Sequence, residues 1–242
     1  MSHFSEQHAV VTGASSGIGR AIALQLADDG ASLCVVGRDR ERLEAVAQTA
    51  ADASGASVVV CPQNLTQDGA ASAIAERVRE ETGRVDMLVH SAGTITTAPV
   101  RHAARADWDE QVETNLRAPF VLTQALLPLM CSGTGEVVFV NSSIVGHAKP
   151  GTGPYAATKH GLKGLADSLR EEVNDDGVRV LSVFPGQTAT PMQEQLYRAK
   201  DQAYRPERLL QPDDVASVVA HALRLPRTAE VTEINIRPMK EP

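Results

Sequence analysis

The stretch HAVVTGASSGIGR, residues 8–20, runs from a Val-rich apolar segment through a glycine cluster into an amphipathic pattern. HAVVTG reads as a strand and residues 17–29 as the helix behind it. Gly13, Gly17 and Gly19 stand where the chain turns from one into the other. Glycines there permit a tight turn and close backbone approach, and the free N–H groups of a helix start attract a diphosphate. The spacing is G-x-x-x-G-x-G rather than the G-x-G-x-x-G fingerprint, so the position between first strand and first helix carries the reading.

Outward from this unit the same alternation continues. ASLCVVG, ASVVVCP, VDMLVHSAG, GEVVFVNSS, VRVLSVFPG and VTEINIR follow as six further strands, seven in all with the first. Helical patterns over 39–53, 67–82, 107–131, 154–176 and 212–224 lie between most of them. Val-rich strands separated by helices imply an α/β, doubly wound parallel sheet with helices on both faces. The chain, 1–242, reads as one such domain. Sheets of this kind bind ligands at the carboxyl ends of their strands. The longest irregular region, 185–211, is rich in Gln, Pro, Arg and Tyr and is the expected substrate lid.

Bulk composition narrows the partners. Lys plus Arg number 23 against 30 Asp plus Glu, a net charge of -7, and no basic run is present, which argues against nucleic acid. The N-terminal residues lack the pattern of a signal peptide, and no uninterrupted apolar run of about 18 residues is present, so no membrane span and a cytoplasmic location are expected. Cys34, Cys61 and Cys131 are read as reduced thiols, the first two as small buried hydrophobes.

The second informative stretch is GPYAATKHGLKGLADSLREEV, residues 153–173. Leu162, Leu165, Leu169 and Val173 mark the buried stripe of a helix, and Lys159 and Tyr155 extend it backwards. A lysine aimed inward needs a reason. A phenol titrates near pH ~10, and a neighbouring ammonium together with the positive end of a helix favours its ionised form. Ser142 and Ser143, at the end of GEVVFVNSS, can meet Tyr155 from the adjacent strand. Asn64 after the third strand and Gly93 after the fourth are suited to an adenine edge and a ribose. His147 and His160 read as packing or surface residues, with no metal expected, and Trp108 as core or interface.

The glycine loop, the strand-end serines, Asn115 in TNLRAPF and the Y-x-x-x-K pair together resemble the short-chain dehydrogenase/reductase family over essentially the whole chain. The resemblance implies a Rossmann-like sheet, a nicotinamide cofactor and a small carbonyl or alcohol substrate. It implies a catalytic tetrad of Asn115, Ser142, Tyr155 and Lys159: Tyr155 as general acid/base, Lys159 tuning it and holding the nicotinamide ribose, Asn115 supporting a water relay, Ser142 binding the substrate oxygen. A thirteen-residue step to Tyr155 selects Ser142, whereas a following S-x-x-G selects Ser143, and Ser142 is preferred. The cofactor would meet Gly13, Ser15, Ser16, Gly17, Ile18, Gly19, Arg38, Asn64, Leu65, Ala92 and Gly93. At the other end it would meet Asn115, Tyr155, Lys159, Pro185, Gly186, Thr188 and Thr190. His90–Ser91 replaces the usual Asn-Asn, and Asn64 the usual Asp.

By the same register Gly37 occupies the place of the acidic residue that selects NAD(H), with Arg38 after it, so NADP(H) is favoured; Asp39 is the carboxylate that can compete for Arg38. Relatives imply a homodimer or homotetramer. The alternative reading is a catalytically idle dinucleotide-binding sensor or scaffold, which turnover of a carbonyl discriminates.

Overall fold

The structure, a computed structural model, describes residues 3–240; residues 1–2 and 241–242 of the expected 1–242 unit lie outside the described residues. All seven expected strands are present: β1 (His8–Thr12), β2 (Ser32–Gly37), β3 (Val58–Pro62), β4 (Met87–His90), β5 (Glu136–Val140), β6 (Arg179–Pro185) and β7 (Glu233–Ile236). They form one parallel sheet in the order β3-β2-β1-β4-β5-β6-β7.

Why the strands are apolar at nearly every position is visible in where alternate side chains go. Ala9, Val11, Leu33 and Val35 enter one core cluster, whereas Val10, Cys34 and Val36 enter the other. Successive residues of a strand point to opposite faces, so a sheet covered on both sides needs no polar alternation. Helices α1 (Gly17–Asp28), α2 (Arg40–Ser54) and α8 (Pro212–Leu223) supply the first cluster with Ile22, Leu26, Leu43 and Val219. Helices α3 (Ala70–Glu81), α5 (Ala118–Leu126) and α6 (Gly153–Val173) supply the second with Ile74, Leu122 and Leu162. Each such fully buried side chain contributes ~2–3 kcal/mol. No helix is long and apolar enough to cross a membrane among the described residues.

Two expected boundaries change. The single helix over 107–131 is instead α4 (Arg105–Val112), a π-helical turn at Glu113–Arg117, α5, and a 3-10 turn at Leu127–Leu129. Pro119 is the physical reason, since it has no N–H for the carbonyl four residues back and its ring crowds that carbonyl; the wider turn relieves both. The region 185–211 is not irregular throughout. It contains α7 (Pro191–Ala199), capped by Thr190, whose Oγ1 accepts from the Gln193 N–H at 3.2 Å, with Pro191 at the helix start. No residue of α7 is buried; its apolar side, Met192, Leu196 and Tyr197, lines the cavity rather than the core. Trp108, on α4, is 44% exposed and so is not a core residue of the chain.

His90 ends β4 inside the second cluster. Its ring stacks on Phe139 with centroids 4.9 Å apart, and Nε2 lies 2.8 Å from the Thr123 hydroxyl. Burial lowers its pKa from 6.5 to about 3. The unfolded chain therefore takes up this proton first, so the stability contribution is complete above about pH 6.5 and is lost as pH falls towards about 3. At pH ~5 the loss is about 2 kcal/mol. Urea denaturation at pH ~5 and ~7 should show this difference in the parent protein and a smaller one in His90→Phe; equal pH dependence in the two would contradict it.

Candidate active site

The strand order reverses direction between β1 and β4, and loops leaving the two strands there part to form a crevice. A cavity of about 830 Å³ fills it and runs along the carboxyl ends of the sheet. The loops are held close at its floor. Thr12 Oγ1 donates to the Val89 carbonyl at 3.3 Å and accepts from the N–H groups of Ser91 and Ala92 at 3.0 and 3.2 Å. Gly13 has φ +65°, and a Cβ on it would lie 2.8 Å from Ala92 Cα. No side chain larger than hydrogen fits at this crossing.

Ser15, Ser16, Gly17, Ile18 and Gly19 line one end of the cavity. Ser16 is the N-cap of α1 but makes no side-chain capping bond, so the first-turn amides keep their donors for an anion. Gly37 and Arg38 line the same end beside Ser15. Asp39, the expected competitor for Arg38, is engaged elsewhere: it caps α2 through the Arg42 N–H and pairs with Arg42 Nε at 3.1 Å. Arg38 has no ion-pair partner among the described residues. Asn64 and Leu65 are also in the lining, but Asn64 Oδ1 is used in accepting from the N–H and hydroxyl of Thr66. A diphosphate-bearing dinucleotide fits this donor set, with its anionic part at the α1 amides.

At the other end, Ser142, Tyr155 and Lys159 line the cavity together with Ala92, Gly93, Pro185, Gly186, Thr188 and Thr190. Ser142 follows β5 and Tyr155 lies in the first turn of α6. Burial raises the Tyr155 phenol above its ordinary value, and hydrogen bonding from Ser142 acts in the opposite direction. The net upward direction corrects the lowering expected from Lys159 and the helix start. Lys159 is 4% exposed, and its Nζ donates to the Val140 carbonyl at 3.1 Å while lying 5.8 Å from the centroid of the Tyr155 ring. Burial brings the ammonium down to about 8, so it remains mostly charged at neutrality.

Asn115 does not line the cavity; it is fully buried behind it, in the π-helical turn. Its Oδ1 accepts from the Thr94 N–H at 2.8 Å, and its Nδ2 donates to the Thr94 carbonyl at 2.9 Å and to Thr158 Oγ1 at 3.2 Å. The same carboxamide stands 3.3 Å from where a Cβ on Gly93 would sit, and Lys159 Nζ is 4.0 Å from that point. Ser143 lines the cavity but is exposed on the 3-10 turn that follows. His147 is exposed at the rim, and His160 is exposed with Nδ1 2.7 Å from the Ala156 carbonyl. Among the described residues no group of three or more His, Cys, Asp or Glu is arranged to hold a metal.

Three positioning residues carry no sequence signal of their own. Thr12 ties two strand ends together. Gln111 Oε1 accepts from the Thr96 N–H at 3.3 Å, and Asn141 Nδ2 donates to the Lys159 carbonyl at 3.1 Å. A Thr ending a strand and an Asn before two serines are compatible with many loops, so only the tertiary partners distinguish them.

The family described as short chain dehydrogenase matches residues 7–201, most of the sheet and the whole Ser142–Tyr155–Lys159 arrangement. The chain belongs to the short-chain dehydrogenase/reductase family. As a short-chain dehydrogenase/reductase it is an oxidoreductase built on a Rossmann-like sheet. It is 31% identical to an uncharacterized oxidoreductase of Staphylococcus saprophyticus over 99% of this chain and 100% of that one. Solved short-chain dehydrogenase/reductase structures superpose on it closely. An alcohol dehydrogenase from the archaeon Thermococcus sibiricus, complexed with 5-hydroxy-NADP, matches with TM-score 0.87 and 28% identity over 98% of each chain. A short chain dehydrogenase from Burkholderia cenocepacia J2315, in complex with NADP, matches with TM-score 0.85 and 30% identity over 97% of each.

Proposed function

We propose that the protein is an NADP(H)-dependent oxidoreductase interconverting a carbonyl compound and a secondary alcohol, with Tyr155 as general acid/base. The observation that carries the reading is that Ser142, Tyr155 and the buried ammonium of Lys159, 5.8 Å from the centre of the phenol ring, line one cavity together with the glycine loop. When bound, the nicotinamide supplies or accepts the hydride.

The chain's own residues do the rest. Ser142 donates to the substrate oxygen and holds it against the phenol, which gives up its proton in reduction and takes it back in oxidation. A phenol raised by burial is protonated at neutrality, the form a reduction consumes. Lys159 keeps its charge at pH 7 and favours the phenolate left behind. It also holds the ribose, and Asn115 fixes the Thr94 backbone and the α6 turn that carries Thr158, supporting the proton path to Lys159.

Ser15, Ser16, Gly17, Ile18, Gly19 and Gly13 hold the diphosphate, with Thr188 and Thr190 at the nicotinamide side. Arg38 meets the 2′-phosphate, as its freedom from Asp39 allows. Residues 185–211, with α7 at their centre, act as the substrate lid of a single 1–242 domain. Trp108 and Phe120, 44% and 48% exposed on α4 and α5, support assembly into a homodimer or homotetramer.

The test is loss of reduced-cofactor absorbance with a panel of ketones and aldehydes. In that assay Ser142→Ala is expected to lose at least about tenfold more activity than Ser143→Ala, the worth of a hydrogen bond or more. The reverse order would move the role to Ser143, and no turnover of any carbonyl would favour an idle binding protein.

A further inference from the structure

The lid side of the cavity contains a polar pair that the proton chemistry does not use. Tyr197, on α7, donates its hydroxyl to Gln187 Oε1 at 2.9 Å, and both residues line the cavity. The phenol ring is braced in turn by Tyr204, edge-on with centroids 5.7 Å apart and planes at 68°. The backbone of Gln187 is fixed as well, its carbonyl accepting from the Leu210 N–H at 3.1 Å.

An amide whose oxygen is held by a phenol has one rotational choice left, and its Nε2 is then the group offered to whatever enters. Gln187 Nε2 has no partner among the described residues and is not sealed from the cavity. Its location limits what it can reach. Gln187 stands two residues beyond β6, and β6 pairs with β5, the strand that leads to Ser142, through Val183 and Val140. Gln187 and Ser142 both line the one cavity, so the Gln187 amide and an oxygen held at Ser142 face the same ligand space.

We infer that Gln187, oriented by Tyr197, is a specificity residue that donates to a second oxygen on the substrate, favouring ketones with a hydroxyl next to the reacting carbonyl over plain alkyl ketones. A site built to hydrogen-bond a substrate hydroxyl rejects the analogue that lacks it, because the donor is then left without a partner. This rests on the oxidoreductase reading above and adds the substrate class to it.

Matched ketones differing only by hydroxyl for methyl, beginning with hydroxyacetone and 2-butanone, provide the test, with NADPH and the full-length protein. The parent is expected to prefer the hydroxylated member of each pair in kcat/KM by about tenfold or more. Gln187→Leu should erase most of that ratio. Tyr197→Phe, which leaves the amide in place but frees it to turn, should reduce the ratio severalfold, chiefly through KM for the hydroxylated ketone. Thermal melting reports whether each variant is folded, and Tyr197→Phe alone decides the matter if Gln187→Leu is not. Turnover of both ketones without preference, or a preference that survives both substitutions, overturns the inference while leaving the oxidoreductase reading intact. Turnover of no ketone at all overturns that reading and the inference with it.

Discussion

Tyr155→Phe is expected to bind NADPH as the parent does and to lose about 10³-fold in turnover, or ~4 kcal/mol of transition-state stabilisation. The substitution keeps the ring in the first turn of α6 and removes only the hydroxyl, in the cavity that Ser142 also lines. Neither Lys159 nor His147 is placed to take over the proton. Lys159 is held by the Val140 carbonyl, and His147 is exposed at the rim. Fluorescence titration with NADPH and single-turnover kinetics separate binding from chemistry. Turnover within a few-fold of the parent would remove Tyr155 from the mechanism, and lost cofactor binding would make its role structural.

Gly37→Asp/Arg38→Leu is expected to shift the preference between NADPH and NADH by about 100-fold, ~2.7 kcal/mol, towards NADH. The change deletes a planar guanidinium suited to a phosphate and adds a carboxylate that repels one while accepting from a ribose hydroxyl. The site can accommodate it. A Cβ on Gly37 would meet Leu43 Cδ2 at 3.4 Å and Ser15 Oγ at 3.6 Å, both ordinary contacts. Asp39 is already committed to capping α2 and to Arg42, so the new carboxylate is not competing for a shared arginine. Dissociation constants for both reduced cofactors check it; tighter NADH binding by the parent, or an unchanged ratio in the double variant, would refute the phosphate contact.

Several parts of this architecture are local in origin and are therefore legible in the chain. A strand buried on both faces must be apolar at successive positions, and ASLCVVG and GEVVFVNSS announce β2 and β5 for that reason. Helix α6 declares its buried side through Leu162, Leu169 and Val173, and the same period aims Lys159 inward, where it is found buried. The glycines after β1 signal a backbone crossing, and Gly13 lies against Ala92 as such a crossing requires.

What the linear pattern could not decide depends on partners far apart in sequence. Period says that Lys159 points inward, but not that Val140, at the end of β5, accepts from its ammonium, nor that burial raises the Tyr155 phenol more than Ser142 lowers it. Ser142 and Ser143 are chemically identical neighbours; only the fold gives Ser142 an extended backbone with its hydroxyl accepting from the Ile144 N–H at 3.3 Å and leaves Ser143 exposed on the 3-10 turn. The π turn that seats Asn115 arises from Pro119 within an otherwise unbroken helical period, and the apolar side of α7 faces the cavity rather than the core. Periodicity reports which face of an element loses water, a property of one segment. The hydrogen-bond partner of a buried polar atom is fixed only when two segments pack, and the direction of that bond then sets both the charge and the aim of the group.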